Sequence, residues 1–327
     1  MEVKMPNKSY NTKAIVEAGL TTAIIIVITL ICVYVPILSM LTNFILPIPI
    51  AILFIRQNFK VTLVSIVASA IFIGILYNPV VSLSGVVLNG LPGLVFGYCV
   101  KNKKKFNTTI ILLSISIFIG TIIYLLVYIN IITNQGIYGF IDSSIIKPFK
   151  ESIDMYNKMG VPKDQISYME SMLTYLKPEI ILRIIPASFV VFSFLMAYIC
   201  YLIGNLILKK LHYDVLTKPF GEIYMSTRVG TVLVVIIIIG LLMNRSNMEL
   251  GYYFINFGKF MIQFVLIVDG VSLAAYYLKR KFNMSNKLIA VILIVTLFSY
   301  LIYIILGIID MIADFRKLDP YKIVDKR

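Results

Sequence analysis

The chain has 327 residues, 59% of them hydrophobic and 14% charged, and a mean hydropathy of +0.92, which excludes a soluble globular domain and identifies an all-α polytopic membrane protein. Thirty Lys plus Arg against sixteen Asp plus Glu give a net charge of +14; the basic residues sit at the ends of apolar runs without a basic-aromatic patch, so the charge reports topology and excludes a nucleic-acid surface. With one histidine and no phosphate-cradling, zinc-protease or nucleophile-elbow motif, the sequence predicts no enzyme, no cofactor and no metal site.

Lys4, Lys8 and Lys13 precede an apolar run with no small-residue cleavage site after it, so helix one, about Ala14 to Val35, is expected to remain as an anchor with a cytoplasmic N-terminus. Its opening, AIVEAGLTTA, puts Ala14, Ala18 and Thr22 on one face and Gly19 with Ala23 on the next. That is a small-xxx-small surface suited to a close-packing neighbour. Helix two, about Ile37 to Ile55, is interrupted by Pro47 and Pro49, each of which removes a backbone donor. Broken helices at membrane depth either pack as kinked helices or line a cavity. Helix three follows an inside turn at Arg56 and Lys60 and runs from about Val61 to Leu76.

Helix four is the stretch VVSLSGVVLNGLPGLVFGYCVKNKKK, from Val80 to Lys105. Its apolar run is long enough to cross about 30 Å of hydrocarbon, and the lysines mark its end as cytoplasmic. Gly85, Asn89, Gly93 and Gly97 recur every fourth position and define one face. That face is read either as plain helix packing or as one from which Asn89 reaches a ligand.

Helix five, about Thr108 to Ile132, leads to a polar segment, Thr133 to Lys177, with five Lys and five acidic residues and no positive-inside signal; it is expected outside. Ile145, Phe149, Ile153 and Tyr156 share one face, and Ile166, Met169, Leu173 and Leu176 another, across a turn at Gly160 to Pro162. This spacing predicts an amphipathic helical hairpin, packed on the surface or acting as a lid over a cavity. Helix six spans about Glu179 to Leu208. The lone His212 follows in an inside loop and reads as solvated. Helices seven (about Val229 to Met243), eight (about Leu250 to Leu278) and nine (about Lys287 to Ile312) complete nine crossings and place the C-terminus outside. The tail's Arg316, Lys317, Lys322, Lys326 and Arg327 oppose that side, while Asp314, Asp319 and Asp325 offset them. The alternative is a re-entrant helix among the last three, which brings the tail inside.

Five ionisable residues fall at membrane depth: Glu17, Arg183, Lys259, Asp269 and Asp310. A central Asp costs about 2.5–3.5 kcal/mol on insertion scales, so Asp269 should face the interior and find an Arg or Lys on a neighbouring helix, or be protonated. It reads as a structural polar contact or as a coupling-ion site. Glu17 is placed for an i, i+4 pair with Lys13, and Asp310 for the interface. Cys32, Cys99 and Cys200 lie in apolar segments and are expected reduced and packed.

The pattern of AIVEAGLTTA, LPIPIAILFIRQNFK, GLPGLVFGYCVKNKKK and GIIDMIADFRK (Gly307 to Lys317) resembles the YybS-like family of uncharacterised bacterial integral membrane proteins. The first six helices in turn resemble the S component of energy-coupling factor transporters. That resemblance implies a six-helix bundle over residues 1–208, with the outer hairpin at about 133–177. A cytoplasmic loop with three further helices follows over 209–312, and a charged tail over 313–327. It also implies that Ala14 and Ala18 dock a coupling subunit with its ATPases, and that Asn89, Gly85 and Gly93 lie near an unidentified small solute or serve packing. The expected place is the bacterial cell membrane, in contact with the lipid bilayer. The alternatives are a non-transporting scaffold or regulator of envelope proteins and, more weakly, an ion-coupled carrier using Asp269.

Overall fold

The computed structural model describes residues 12–39, 41–213 and 215–319. Lys4, Lys8, Lys322, Asp325, Lys326 and Arg327, used above, lie outside the described residues. Those described form helices without a strand, and nine helices are long and apolar enough to cross a membrane. By packing the chain divides into two units: residues up to Ile137 with Phe192–Thr217, and Tyr138–Val191 with Lys218 onward. The cuts fall after Ile137, within helix six after Val191, and after Thr217.

In the first unit, α1 (Thr12–Tyr34) leads into a helix broken into α2 (Pro36–Ser39), α3 (Thr42–Ile45) and α4 (Pro47–Arg56). Pro47 opens α4, where a missing N–H costs nothing. Asn58 caps α5 (Phe59–Leu76) by accepting from the Val61 amide, and Asn78 caps α6 (Pro79–Ser84) by accepting from Val80. A π-helical segment, Gly85–Gly90, then joins α6 to α7 (Leu91–Lys101), and α8 (Phe106–Val127) follows. Two apolar clusters hold the unit. One contains Ile25, Leu46, Ile50, Ile66, Ile73 and Leu94; the other is built on Ala51, Phe96, Leu113 and Tyr201.

The small-residue face of helix four is a packing seam in its second half only. A methyl at Gly93 would stand 2.7 Å from Ile50 Cβ, and one at Gly97 would stand 2.9 Å from the Ala51 carbonyl, whereas nothing lies within 4 Å of such a methyl at Gly85. The π-helical turns explain the split. Their wider i to i+5 repeat breaks the four-residue register, so Gly85 leaves the stripe that Gly93 and Gly97 share.

In the second unit, α9 (Ile137–Ile141) and a π-helical segment lead to α10 (Lys147–Lys158) and α11 (Lys163–Met172). These form the expected hairpin, turning at Gly160, whose φ of +76° requires glycine. Ile153 and Ile166 are buried, while Tyr156 is exposed; Ile146 turns inward in place of Ile145 because the π-helical residues 142–146 shift the register. α12 (Pro178–Lys210) begins in this unit and ends in the other. α13 (Thr227–Arg245) and α14 (Leu250–Arg280) pair, and α15 (Asn286–Thr296) and α16 (Tyr300–Ala313) make up helix nine, interrupted at Leu297–Ser299. Where α16 crosses α14 the backbones nearly touch: a methyl at Gly270 would lie 2.0 Å from the Tyr303 carbonyl, and one at Gly307 would lie 2.1 Å from that of Leu266.

Helix nine ends beside the first turn of α13. Thr227 Oγ1 donates to the Met311 carbonyl at 3.0 Å, and Met311 Sδ meets Gly230. The other end of α13 lies roughly 28 Å away at about 1.5 Å per residue. Residues 314–319 therefore sit where α13 begins, which is the arrangement of the re-entrant alternative.

Candidate functional site

The most polar buried site is built on Asp269. α14 presents Asp269 and Ser272 one turn apart on the same face, and both are fully buried. α16 brings Asp310, also fully buried, and ends at Asp314 in the left-handed conformation. Asp314 accepts from the amides of Leu318 and Asp319, folding the chain back so that Arg316 inserts between the helices.

Every arm of the Arg316 guanidinium is engaged. Nε donates to Asp310 Oδ2 at 2.9 Å, and Nη2 stands 2.7 Å from Asp269 Oδ1 and 2.8 Å from Asp310 Oδ2. Nη1 donates to the carbonyls of Gly221 and Ile223 and to Ser272 Oγ, at 2.9, 2.8 and 2.6 Å. Asp269 Oδ1 also accepts from the Met225 amide, while Asp269 Oδ2 is buried without a hydrogen-bond partner. One cation thus ties helix eight, helix nine and the segment Gly221–Ile223 before α13 together. The planar fork of Arg matches that task, and a Lys could not reproduce it.

One expectation changes here: Asp310 does not reach the interface but is buried against Arg316, which the sequence offered only as a tail charge opposing an outside C-terminus. Both ion pairs found among the described residues belong to Arg316. Tyr224 rests beside the guanidinium, 5.7 Å from ring centre to charge, and donates to Asp319 Oδ2 at 3.1 Å. Burial, reinforced by Asp319, raises the Tyr224 hydroxyl above its ordinary value.

The remaining ionisable residues are scattered. Arg183 stacks on the Tyr252 ring at 4.3 Å, Lys259 is exposed, and Glu17 takes its hydrogen bond from Gln57 at 2.8 Å rather than from a Lys13 pair. His212 is exposed and the three cysteines are buried thiols. Among the described residues no group of three or more His, Cys, Asp or Glu is placed to hold a metal ion.

Asn89 is 3% exposed, and its Oδ1 has no hydrogen-bond partner. It borders a buried space of about 20 Å³ together with Gly85, Thr29, Ser69 and Ser82. Gly93 faces Ile50 instead and serves packing.

The small-residue surface of helix one lies open. Ala14, Ala18, Gly19 and Ala23 line a groove of about 930 Å³ against Val61 and Ala68 of α5. Ala14 and Ala18 are half-buried, Gly19 and Ala23 are exposed, and no atom lies within 4 Å of a methyl placed on Gly19. Below the groove α1 and α5 are joined by polar contacts: Thr22 and Ser65 hydroxyls at 2.9 Å, and Ser65 Oγ donating to the Ala18 carbonyl at 3.2 Å.

Residues 23–311 match the model of the family described as predicted membrane protein (DUF2232), and the chain belongs to that family. It is 24% identical over 317 residues to the uncharacterized protein YybS of Bacillus subtilis (strain 168), a match covering 92% of this chain and 96% of that protein. No solved structure matches it. The chain is therefore a multi-pass membrane protein of a family without an assigned activity.

Proposed function

We propose that the chain is an S-component-like subunit of the bacterial cell membrane, with its N-terminus in the cytoplasm, that binds a small solute and works with an ATPase-bearing partner. The observation that supports this is the open groove of helix one. Gly93 and Gly97 are covered by α4, whereas Ala14, Ala18, Gly19 and Ala23 line free space. Small residues on a membrane helix let another backbone approach closely; α5 reaches the Ala18 carbonyl through Ser65, and a transmembrane helix of a coupling subunit is the natural occupant of the space left open over Gly19 and Ala23. The partner would supply the energy, since the chain carries no nucleotide-binding motif, and the chain itself would catalyse no reaction.

One observation favours the rival reading of a non-transporting scaffold or regulator of envelope proteins. The space beside Asn89 holds about 20 Å³, far below the roughly 300–1,000 Å³ of small-molecule pockets. An ion-coupled carrier would need Asp269 to exchange its partner, and that carboxylate is tied to Arg316.

Mild-detergent purification from the native host, followed by mass spectrometry of everything retained, tests the proposal. Coupling and ATPase subunits with a stoichiometric solute are expected; envelope proteins without ATPases or solute would replace it with the scaffold reading.

A further inference from the structure

We infer that one face of α14 docks a membrane-spanning helix of a different protein, one that presents a carboxylate to Lys259 and hydrogen-bonding side chains to Asn256 and Gln263. This surface lies in the second unit and does not rest on the groove of helix one. It follows from the polar residues that α14 leaves uncovered.

Tyr252, Asn256, Lys259 and Gln263 recur at i, i+4, i+7 and i+11, so they form one stripe along α14, about 16 Å long. Tyr252, Lys259 and Gln263 are exposed and Asn256 is half-buried. The neighbouring face, with Gly251, Ile255 and Gly258, is the one that α13 covers. Arg183 of α12 stacks on Tyr252 at 4.3 Å, which adds a second cation at one end of the stripe. Among the described residues Asn256, Lys259 and Gln263 make no hydrogen bond or ion pair.

Lys259 lies at the depth where a charge is least tolerated. α13 and α14 pack antiparallel: Gly251 meets Asn244, Gly240 meets Ile255, and Gly258 meets Ile237 and Leu233. Lys259 therefore stands level with the middle of α13, whose 19 residues, about 28 Å long, just cross a hydrocarbon core. Headgroup phosphates lie about 15 Å away on either side, beyond the span of a lysine side chain, and snorkelling serves lysines near helix ends. Ionisable groups at this depth face a bundle interior and pair with opposite charge, so an uncovered one marks a bundle that another chain completes. Asn and Gln on the same stripe are side chains that hydrogen-bond across membrane helices. A second copy of this chain does not fit. Stripe against stripe would set Lys259 against Lys259, and the chain's own carboxylates at membrane depth are engaged, Asp269 and Asp310 by Arg316 and Glu17 by Gln57.

The test puts the photocrosslinker p-benzoylphenylalanine in place of Phe260, an exposed neighbour of Lys259, in the full chain expressed in its native membrane. Illumination is expected to give one protein adduct, mapped by mass spectrometry to a membrane-spanning segment that contains an Asp or Glu. Lys259→Glu should lower the adduct yield roughly tenfold or more, and Lys259→Arg should keep it. Replacing the partner's carboxylate with Lys should restore the yield in the Lys259→Glu chain. Gln263→Leu serves as a second variant and should weaken the adduct severalfold if Lys259→Glu does not insert. An adduct with a second copy, with lipid alone or with a segment lacking a carboxylate would overturn the inference. So would a yield that neither Lys259→Glu nor Gln263→Leu changes, because the stripe would then take no part in the contact.

Discussion

Arg316 and Asp269 are 47 residues apart in the chain and 2.7 Å apart in the fold, with neither side chain exposed. Breaking such a buried pair from one side strands a charge, at a typical cost of about 3–5 kcal/mol. Arg316→Met leaves two buried carboxylates and is expected to destabilise the second unit by that order. Arg316→Lys should recover little, because a single ammonium cannot span Asp269, Asp310 and the carbonyls of Gly221 and Ile223. Replacing Arg316, Asp269 and Asp310 together with Met and Leu should restore most of the stability, since apolar groups need no partner. Thermal unfolding in detergent of the three proteins checks the order.

The contact of Thr227 with the Met311 carbonyl makes the side of residues 314–319 testable. Because residues 314–319 sit at the first turn of α13, a cysteine at Leu318 should react with a membrane-impermeant thiol reagent from the side that labels a cysteine at Leu211. It should be protected from the side that labels one at Asn247. Labelling of Leu318→Cys with Asn247→Cys would instead mean nine full crossings.

These two outcomes also show where the sequence was legible. Nine apolar spans, the hairpin turn at Gly160 and the burial of Asp269 could all be read from composition and spacing. Arg316 could not, because a basic residue after an apolar helix is counted as topology until the chain is seen to fold back. The signal was present in Asp314, a residue tolerant of the left-handed backbone, placed between Asp310 and Arg316. Gly85 misled for a different reason. A four-residue repeat assumes α-helical turns throughout, and the π-helical segment is invisible to such a count.

The glycine contrast is itself testable. Gly93→Ala forces a methyl against Ile50 and should destabilise by about 1–3 kcal/mol through overpacking. Gly85→Ala meets no atom and should be neutral or slightly stabilising, from the helix preference of Ala alone. Unfolding midpoints of the two variants provide the comparison.

Tyr224 predicts an alkaline dependence. Its hydroxyl titrates higher in the fold than the ordinary value of about 10, so its contribution is fully present below that pH. It is lost as pH rises from there through the folded value, because the unfolded chain releases the proton first. The unfolding midpoint should fall more steeply between pH 9 and 11 in the wild type than in Tyr224→Phe; parallel curves would remove Tyr224 from the account.

The groove of Ala14 and Ala18 is the centre of the functional account, and Ala18→Leu fills it without touching the Arg316 cluster. The decisive measurement is ATP hydrolysis in the material that co-elutes with the tagged chain from its native membrane, for wild type and Ala18→Leu at equal yield of folded protein. The account predicts ATPase subunits and hydrolysis with the wild type and a loss of at least tenfold with Ala18→Leu. Equal hydrolysis in both, or none in the wild type, would contradict it.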